Sequence, residues 1–130
     1  MNMNKMISIL MVLFFSTNNV ISNPQENVNA QFPGGGTELV KYIDTNLKYP
    51  EEAQKQKWEG QSLIGFTVNE DGLISNIRVI KSSFLVLDNE AMRLIKMMPK
   101  WNPAILNGTP KKEMVVLPIN FDLKRKNIMY

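Results

Sequence analysis

The sequence of 130 residues contains neither cysteine nor histidine. Without cysteine the chain can form no disulfide, can offer no thiolate nucleophile and cannot carry a lipid on a cysteine anchor. Without histidine it lacks the commonest general base and the commonest ligand of transition metals. Candidate acids such as Glu70, Asp71 and Asp88 lie in a predicted turn and at a predicted helix start, and no nucleophile with an adjacent base can be assembled. We therefore expect no enzyme, no cofactor and no metal site.

A strong excess of one charge is also absent. The chain has 15 Lys and Arg against 12 Asp and Glu, which gives a net charge of +3. The only tight basic cluster, at residues 124–126, follows the last predicted strand and is typical of a solvated tail. The glycines at residues 34–36 lack the spacing of a phosphate-binding loop. The sequence therefore predicts neither nucleic acid nor a small-molecule substrate as a partner.

Long hydrophobic runs are missing as well. The apolar run at residues 6–15 follows Lys5 and precedes a polar stretch. A membrane-spanning helix needs about 20 apolar residues, twice what this run offers. A short cationic start, an apolar run and tolerated residues before a cleavage site are typical of a secretory signal peptide. We therefore predict a signal peptide at residues 1–22, which places the following domain on the far side of a membrane; uncleaved, the run would act as a short anchor.

The remaining chain is predicted to hold a flexible polar tether at residues 23–31, one domain at residues 32–123 and a basic tail at residues 124–130. Apolar residues at helical spacing predict a helix over residues 37–47. Pro50 ends this helix and starts a second one over residues 50–57. Asp88 is predicted to cap a third helix, which ends at Pro99. Residues 100–112 form a predicted loop with a turn at Asn107-Gly108.

Period-two patterning predicts a β-hairpin around the turn Glu70-Asp71-Gly72. The first strand places four side chains on the core face: Ser62, Ile64, Phe66 and Val68. The returning strand places Leu73, Ile77 and Val79 on one face and Asn76 and Arg78 on the other, with Ile74 and Ile80 as exceptions to the alternation. Burial on one face predicts a sheet whose helices all pack on a single side.

The last predicted strand, at residues 114–121, carries Pro118 in its middle. Proline has no backbone N–H and cannot donate a hydrogen bond to a neighbouring strand, so this strand belongs at an edge of the sheet. An edge strand presents unpaired backbone groups that can accept another strand. The predicted fold class is therefore α+β, a three-stranded antiparallel sheet with helices packed on one face in the order α-α-β-β-α-β. The available edge predicts a domain that binds a peptide.

An ordered series of short motifs runs through the domain. It comprises Tyr49-Pro50-x-x-Ala53, Gly60, Phe66-x-Val68-x-x-x-Gly72, Leu87-Asp88-x-x-Ala91, Trp101-x-Pro103, Gly108 and Pro118-Ile119-x-Phe121. Each motif alone is weak, but the ordered series at this spacing is specific. On these residues the chain resembles the C-terminal domain of TonB, the energy-transducing protein of Gram-negative envelopes, over residues 32–123.

The resemblance implies the TonB C-terminal fold and a periplasmic module that grips the TonB box, a short peptide near the N-terminus of outer-membrane transporters. It implies that this peptide adds a strand beside the last strand, in the service of transport across the outer membrane. The backbone of six residues is then expected to carry the contact: Lys112, Glu113, Met114, Val115, Val116 and Leu117. The resemblance also implies a second contact near Tyr49 and Pro50.

A complete TonB also has a membrane-spanning helix with a functional histidine and a long proline-rich rod, and neither is found in this sequence. The tether at residues 23–31 reaches only about 30 Å when extended. We therefore expect a free-standing TonB-like domain. An alternative is a structural or assembly role, in which the same edge pairs with an identical subunit to form a homodimer or with another envelope protein.

Overall fold

The computed structural model describes residues 26–125. These residues form, in chain order, helices α1 (Gly36–Asn46) and α2 (Glu51–Lys55), strands β1 (Gly60–Val68) and β2 (Ile74–Lys81), helix α3 (Leu85–Lys96), and strands β3 (Ala104–Leu106), β4 (Thr109–Lys111) and β5 (Glu113–Phe121). Three of the strands form an antiparallel sheet in the order β2-β1-β5. The predicted fold class and the order of its main elements are confirmed.

The predicted signal peptide lies outside the described residues, as do residues 23–25 of the tether and residues 126–130 of the tail. Within the predicted tether, Val28 pairs with Ile105 and Gln31 pairs with Asn102 through isolated antiparallel bridges. This part of the tether therefore lies against the chain around β3. Between residues 26 and 125 no helix is long and apolar enough to cross a membrane.

The core lies between the central strand and α3. The four side chains predicted for the core face of β1 are all fully buried: Ser62, Ile64, Phe66 and Val68. One stripe of α3 packs against them, together with the end of β5, through Leu87, Ala91, Leu94, Ile95, Ile119 and Phe121. Burying an aliphatic or aromatic side chain of this size stabilises a fold by about 1.5–3 kcal/mol. The alternation of β1 therefore positions the whole sheet against α3.

Helix α1 is held against α3 by polar contacts. The Tyr42 hydroxyl donates to the carbonyl of Leu94 at 2.8 Å. Glu90, which is buried, accepts the backbone N–H of Lys48 at 2.8 Å. The same carboxylate binds Arg93, whose guanidinium also donates to the carbonyl of Asn46 at 2.9 Å. These bonds satisfy backbone groups at the end of α1, where the helix leaves carbonyls without partners.

The predicted loop at residues 100–112 contains a short hairpin, β3–β4. Its two turn residues are Asn107 and Gly108, with φ of 52° and 77°. Positive φ at both central residues is the requirement of a type I′ hairpin turn, which an Asn-Gly pair meets. The predicted turn is therefore confirmed, whereas its strands were missed because three-residue strands, one of them containing Pro110, carry little sequence pattern.

Asp88 does not cap α3, because the helix begins three residues earlier at Leu85. Its buried carboxylate instead accepts the hydroxyl of Ser62 at 2.7 Å and the backbone N–H of Ser83 at 3.1 Å, and it also accepts the hydroxyl of Ser82. Burial raises the pKa of Asp88, but these hydrogen bonds outweigh it and hold the pKa below its ordinary value. Asp88 thus joins β1 and the chain that follows β2 to α3.

The predicted core face of β2 is wrong at Leu73, which is 50% exposed, whereas Ile77 and also Ile74 pack on the core. Val79 lies opposite the buried Ile64 and so shares its face, and it is 40% exposed because β2 is an outer strand of the sheet. The β1–β2 pairing contains two register shifts, and Asn76 has a φ of 53°. A β-bulge inserts an unpaired residue and so breaks the period of two on which the prediction relied.

Candidate functional site

The outer edge of β5 has no partner strand among residues 26–125. The inner edge pairs with β1 over the whole strand, from Gly60 opposite Phe121 to Val68 opposite Glu113, without a register shift. The prediction that Pro118 lies on an edge strand is therefore confirmed. This free edge is the candidate functional site.

The pairing determines which backbone groups of β5 point outward. The N–H of Asn69, just after β1, donates to the carbonyl of Leu73 at 2.9 Å. The backbone N–H and C=O groups of the odd-numbered residues of β1 therefore point toward β2. The backbone N–H and C=O groups of successive residues point to opposite sides of a strand, so those of the even-numbered residues of β1 point toward β5. Ile64 lies opposite Leu117, and along the whole strand each even-numbered residue of β1 lies opposite an odd-numbered residue of β5. Odd-numbered residues of β5 consequently bond to β1, whereas even-numbered residues point to the free edge.

Pro118 agrees with this assignment. It is an even-numbered position, so its nitrogen faces the free edge and its ring does not interrupt the ladder with β1. The outward N–H donors of β5 are then those of Met114, Val116 and Asn120.

The six predicted backbone contacts thus fall into two sets. Met114 and Val116 direct both backbone groups outward, and Lys112, immediately before β5, shares their parity. Glu113, Val115 and Leu117 direct theirs into the ladder with β1. The sequence-based prediction named the six residues without this division, for which the parity of Pro118 was an available signal.

The side chains along the free edge are largely aliphatic. Met114 and Val116 lie on the face of the sheet that carries no core residues, and they are 52% and 41% exposed. On the same face Ile80 lies over Gly65, where an added Cβ would come within 2.8 Å of the Ile80 Cδ1. Arg78 reaches this cluster, with its Nη2 3.1 Å from the sulfur of Met114. Neither Ile80 nor Arg78 is among the residues predicted for the site, although Arg78 was predicted on this outer face and Ile80 was an exception to the alternation of its strand.

The opposite face of the edge is apolar too. Val115 and Leu117 are half-buried and pack against the core. At the start of β5, the Glu113 carboxylate accepts the backbone N–H of Ala30 at 3.2 Å, so the N-terminal segment is fixed near this end of the strand. Lys111 and Lys112 are exposed there. A strand added to this edge would therefore run between two rows of aliphatic side chains, with positive charge at one end.

Tyr49 and Pro50 lie near the other end of β5. The Tyr49 ring meets Phe121 edge to face, with 5.7 Å between centroids, and its hydroxyl donates to the carbonyl of Trp58. Burial raises the pKa of the Tyr49 hydroxyl, and the negative charges of Glu59 and Asp122 add to this effect. Four residues of strand, about 13 Å, separate Phe121 from Leu117. The structure therefore does not bring Tyr49 and Pro50 next to the start of β5.

Chemistry-bearing groups elsewhere are engaged in structure. The buried carboxylates of Asp88 and Glu90 are hydrogen-bonded to neighbouring elements. Over residues 26–125 no three acidic side chains gather in an arrangement able to hold a metal ion. What the described residues offer a partner is thus a backbone edge with aliphatic flanks.

Comparison with known proteins gives this domain relatives. The family described as Gram-negative bacterial TonB protein C-terminal matches residues 45–123. Protein TonB of Helicobacter pylori strain ATCC 700392 / 26695 is 30% identical over 116 residues, which cover 83% of this chain and 38% of that protein. Protein TonB of strain J99 / ATCC 700824 is 32% identical over 116 residues, which cover 83% and 39%. The chain thus spans about two fifths of the length of these curated relatives.

Solved structures agree with the sequence relatives. One NMR solution structure of the Helicobacter pylori TonB-CTD superposes with a TM-score of 0.52 at 27% identity, covering 70% of this chain and 86% of that chain. A second, shorter one gives a TM-score of 0.52 at 28% identity, covering 68% and 92%. The similarity therefore extends from sequence motifs to the arrangement of the elements.

Proposed function

Since this chain belongs to the family of TonB C-terminal domains, we propose that it is a periplasmic binding module that captures an extended peptide on the free edge of β5. The peptide is a TonB-box-like segment near the N-terminus of an outer-membrane transporter, and its capture is linked to energised transport across the outer membrane. The family consists of binding and energy-transducing proteins and not of enzymes. The signal peptide predicted at residues 1–22 supports the periplasmic location.

The unbroken pairing of β5 with β1 carries this proposal. Because no register shift interrupts it, the outward groups of Met114 and Val116 lie in a straight row at strand spacing. A peptide in extended conformation can match such a row with its own N–H and C=O groups, which is recognition by strand addition. The aliphatic side chains on the two faces of the edge support an apolar peptide, because they flank its alternating side chains.

Tyr49 and Pro50 enter this proposal as a second contact. They lie at the Phe121 end of β5, so a peptide that pairs with residues 112–117 reaches them only with residues beyond its paired segment. Their contribution is therefore expected to come from side chains and not from the ladder.

Replacing Val116 with proline tests the function. Val116→Pro removes one outward donor while leaving the ladder with β1 intact, because the nitrogen of residue 116 faces the free edge. Losing one hydrogen bond of about 1 kcal/mol, together with the steric block of the ring, is expected to weaken binding at least about fivefold. The measurement is titration of a fluorescently labelled transporter N-terminal peptide, monitored by anisotropy.

Val116→Ala is the matched control, because it shortens the same side chain but keeps the N–H. We expect it to bind much more tightly than Val116→Pro. Equal affinities of wild type and Val116→Pro would refute strand addition at this edge. Light scattering across concentrations examines the alternative role in assembly, since a dimer that persists at low micromolar concentration and dissociates in Val116→Pro would assign the edge to a second copy.

A further inference from the structure

We infer that Pro110 and Pro118 set the length and the register of the strand that this edge accepts. The inference rests on the proposed function and narrows its ligand to a short extended segment. It follows from the position of each proline in its ladder, from the short connection between β4 and β5, and from the donors that lie between the two rings.

Pro110 faces the same free side as Pro118. A two-residue hairpin turn is flanked by a hydrogen-bonded pair, which here is Leu106 and Thr109. The next pair, Ile105 with Pro110, is then a pair without mutual hydrogen bonds, and the nitrogen of Pro110 points away from β3. Pro110 therefore resembles Pro118, since each directs its ring to the edge that no described strand covers.

Strands β4 and β5 belong to separate sheets, but only Lys112 separates them along the chain. Lys111 pairs with Ala104 of β3, and Glu113, two positions later, pairs with Val68 of β1. Residues two apart in an extended chain direct their backbone groups to the same side. Strands β3 and β1 therefore lie end to end along one side, and among residues 26–125 the opposite side is free from residue 110 to residue 120.

Three outward donors lie between the two prolines: the N–H groups of Lys112, Met114 and Val116. At each proline a ring carbon takes the place of the amide hydrogen, so no donor is present and the carbonyl of a partner strand cannot approach. The prolines are eight positions apart, about 26 Å at strand spacing. The edge therefore accepts a paired segment of about five to seven residues and ends the ladder on either side of it.

A short peptide suits this edge better than a second copy of the chain. A second copy would bring the nine residues of β5 with their own proline, preceded by the exposed Lys111 and Lys112. Prolines and lysines on an edge strand are the features by which proteins prevent pairing with another folded sheet. A segment that fits between the rings avoids both prolines and need not carry lysines of its own, and most of the side chains beside it are aliphatic.

Amide hydrogen exchange of the isotope-labelled full chain provides the first test and needs no ligand. In the free protein we expect the amides of Lys112, Met114 and Val116 to exchange fast, and those of Val115, Leu117 and Ile119 to exchange slowly in the ladder with β1. Slow exchange at Met114 and Val116 in the monomer would overturn the assignment of the outward donors. Protection at these amides that grows with protein concentration would instead identify a second copy of the chain as the ligand of the edge, and it would contradict the inference that the ligand is a short peptide.

A peptide series provides the second test. The probes are fluorescein-labelled peptides of alternating valine and threonine, about five, seven and nine residues long, each with a terminal lysine pair for solubility. For the wild type we expect affinity to rise up to about seven residues and then to stay level. Bound peptide is expected to slow exchange at Lys112, Met114 and Val116 but not at Asn120.

Pro118→Ala restores a donor and removes the ring. The nine-residue peptide is then expected to bind about fivefold tighter than to the wild type, which corresponds to one added hydrogen bond, while the five-residue peptide binds as before. Pro99→Ala, at an exposed proline outside β3, β4 and β5, is the matched control and is expected to change neither affinity.

The outcomes separate this inference from the proposed function. Peptides that bind the wild type with protection continuing through Asn120, or a Pro118→Ala variant that gains nothing with the longer peptide, would overturn the role of the prolines and leave strand addition standing. Failure of these peptides and of the transporter peptide to bind the folded protein would overturn the proposed function itself.

Discussion

The two outer strands of the sheet pair with the same central strand and yet present different edges. β2 meets β1 with two register shifts and a left-handed residue, Asn76, in its middle. β5 meets β1 over nine consecutive pairs without a shift. A bulged strand twists and interrupts its row of outward groups, whereas a regular strand keeps them in line. An edge is therefore available to a partner only where its inner pairing is regular.

The ends of the two strands differ as well. The chain that follows β2 is fixed to α3 by Asp88, which accepts hydrogen bonds from Ser82 and Ser83. β5 is preceded by an exposed lysine pair and followed by a turn at Asp122, whose carbonyl accepts the N–H of Arg125 at 3.2 Å. The C-terminal end of β2 is thus fixed to α3 by hydrogen bonds, whereas β5 is held mainly by its pairing with β1.

The largest expected effect separates the two sides of β5 itself. Leu117→Pro removes a donor from the ladder with β1 and leaves the carbonyl of Ile64 without its hydrogen bond, which costs about 1–3 kcal/mol in addition to the steric clash of the ring. We expect a large loss in the free energy of unfolding, measured by urea denaturation followed by circular dichroism. Val116→Pro, one residue away, is expected to lose far less. Equal losses in the two variants would contradict the assignment of inward and outward positions.

A smaller effect is expected at the anchor of β2. Asp88→Asn removes the charge that strengthens the four hydrogen bonds from Ser62, Ser82 and Ser83, and we expect a loss of about 2 kcal/mol in the free energy of unfolding. Because the pKa of Asp88 is lower in the folded chain than in the unfolded chain, its contribution is fully present above the unfolded value of about 4 and is lost as the pH falls through the folded value.

Urea denaturation of the wild type and of Asp88→Asn at a series of pH values measures this dependence. The difference between the two proteins is expected to be constant near neutral pH and to shrink in the acid range. A difference that grows as the pH falls would mean that the pKa of Asp88 is raised and not lowered.

The smallest expected effect lies within the bulged edge. Asn76→Val places a β-branched residue at a φ of 53°, which we expect to destabilise the fold by about 1 kcal/mol. Asn76→Gly, which tolerates this φ, is the control and is expected to be close to the wild type. Neither variant is expected to change peptide affinity in the anisotropy titration. A loss of affinity in Asn76→Val at unchanged stability would place part of the binding surface on β2.

Much of the fold follows from local patterns. The alternation of β1 identified the four buried side chains of its core face, and Asn107-Gly108 identified a turn, because each depends on neighbouring residues alone. The predicted face of β2 was wrong at Leu73 and left Ile74 as an exception, because a bulge depends on how two strands pair. Asp88 was misplaced for a related reason, since its partners include Ser62, which lies 26 residues away in the sequence.

The sequence by itself determined that β5 is an edge strand, because a proline nitrogen cannot donate and Pro118 therefore had to face away from any ladder. It also determined the apolar character of the strand and the family that its motifs resemble. Only the tertiary structure decided that β1 lies at the centre, that β2 is bulged and anchored, and that β5 pairs regularly with β1 and keeps its other edge free. These features are pairings between distant segments, and no local pattern of side chains specifies which backbone groups remain without a partner.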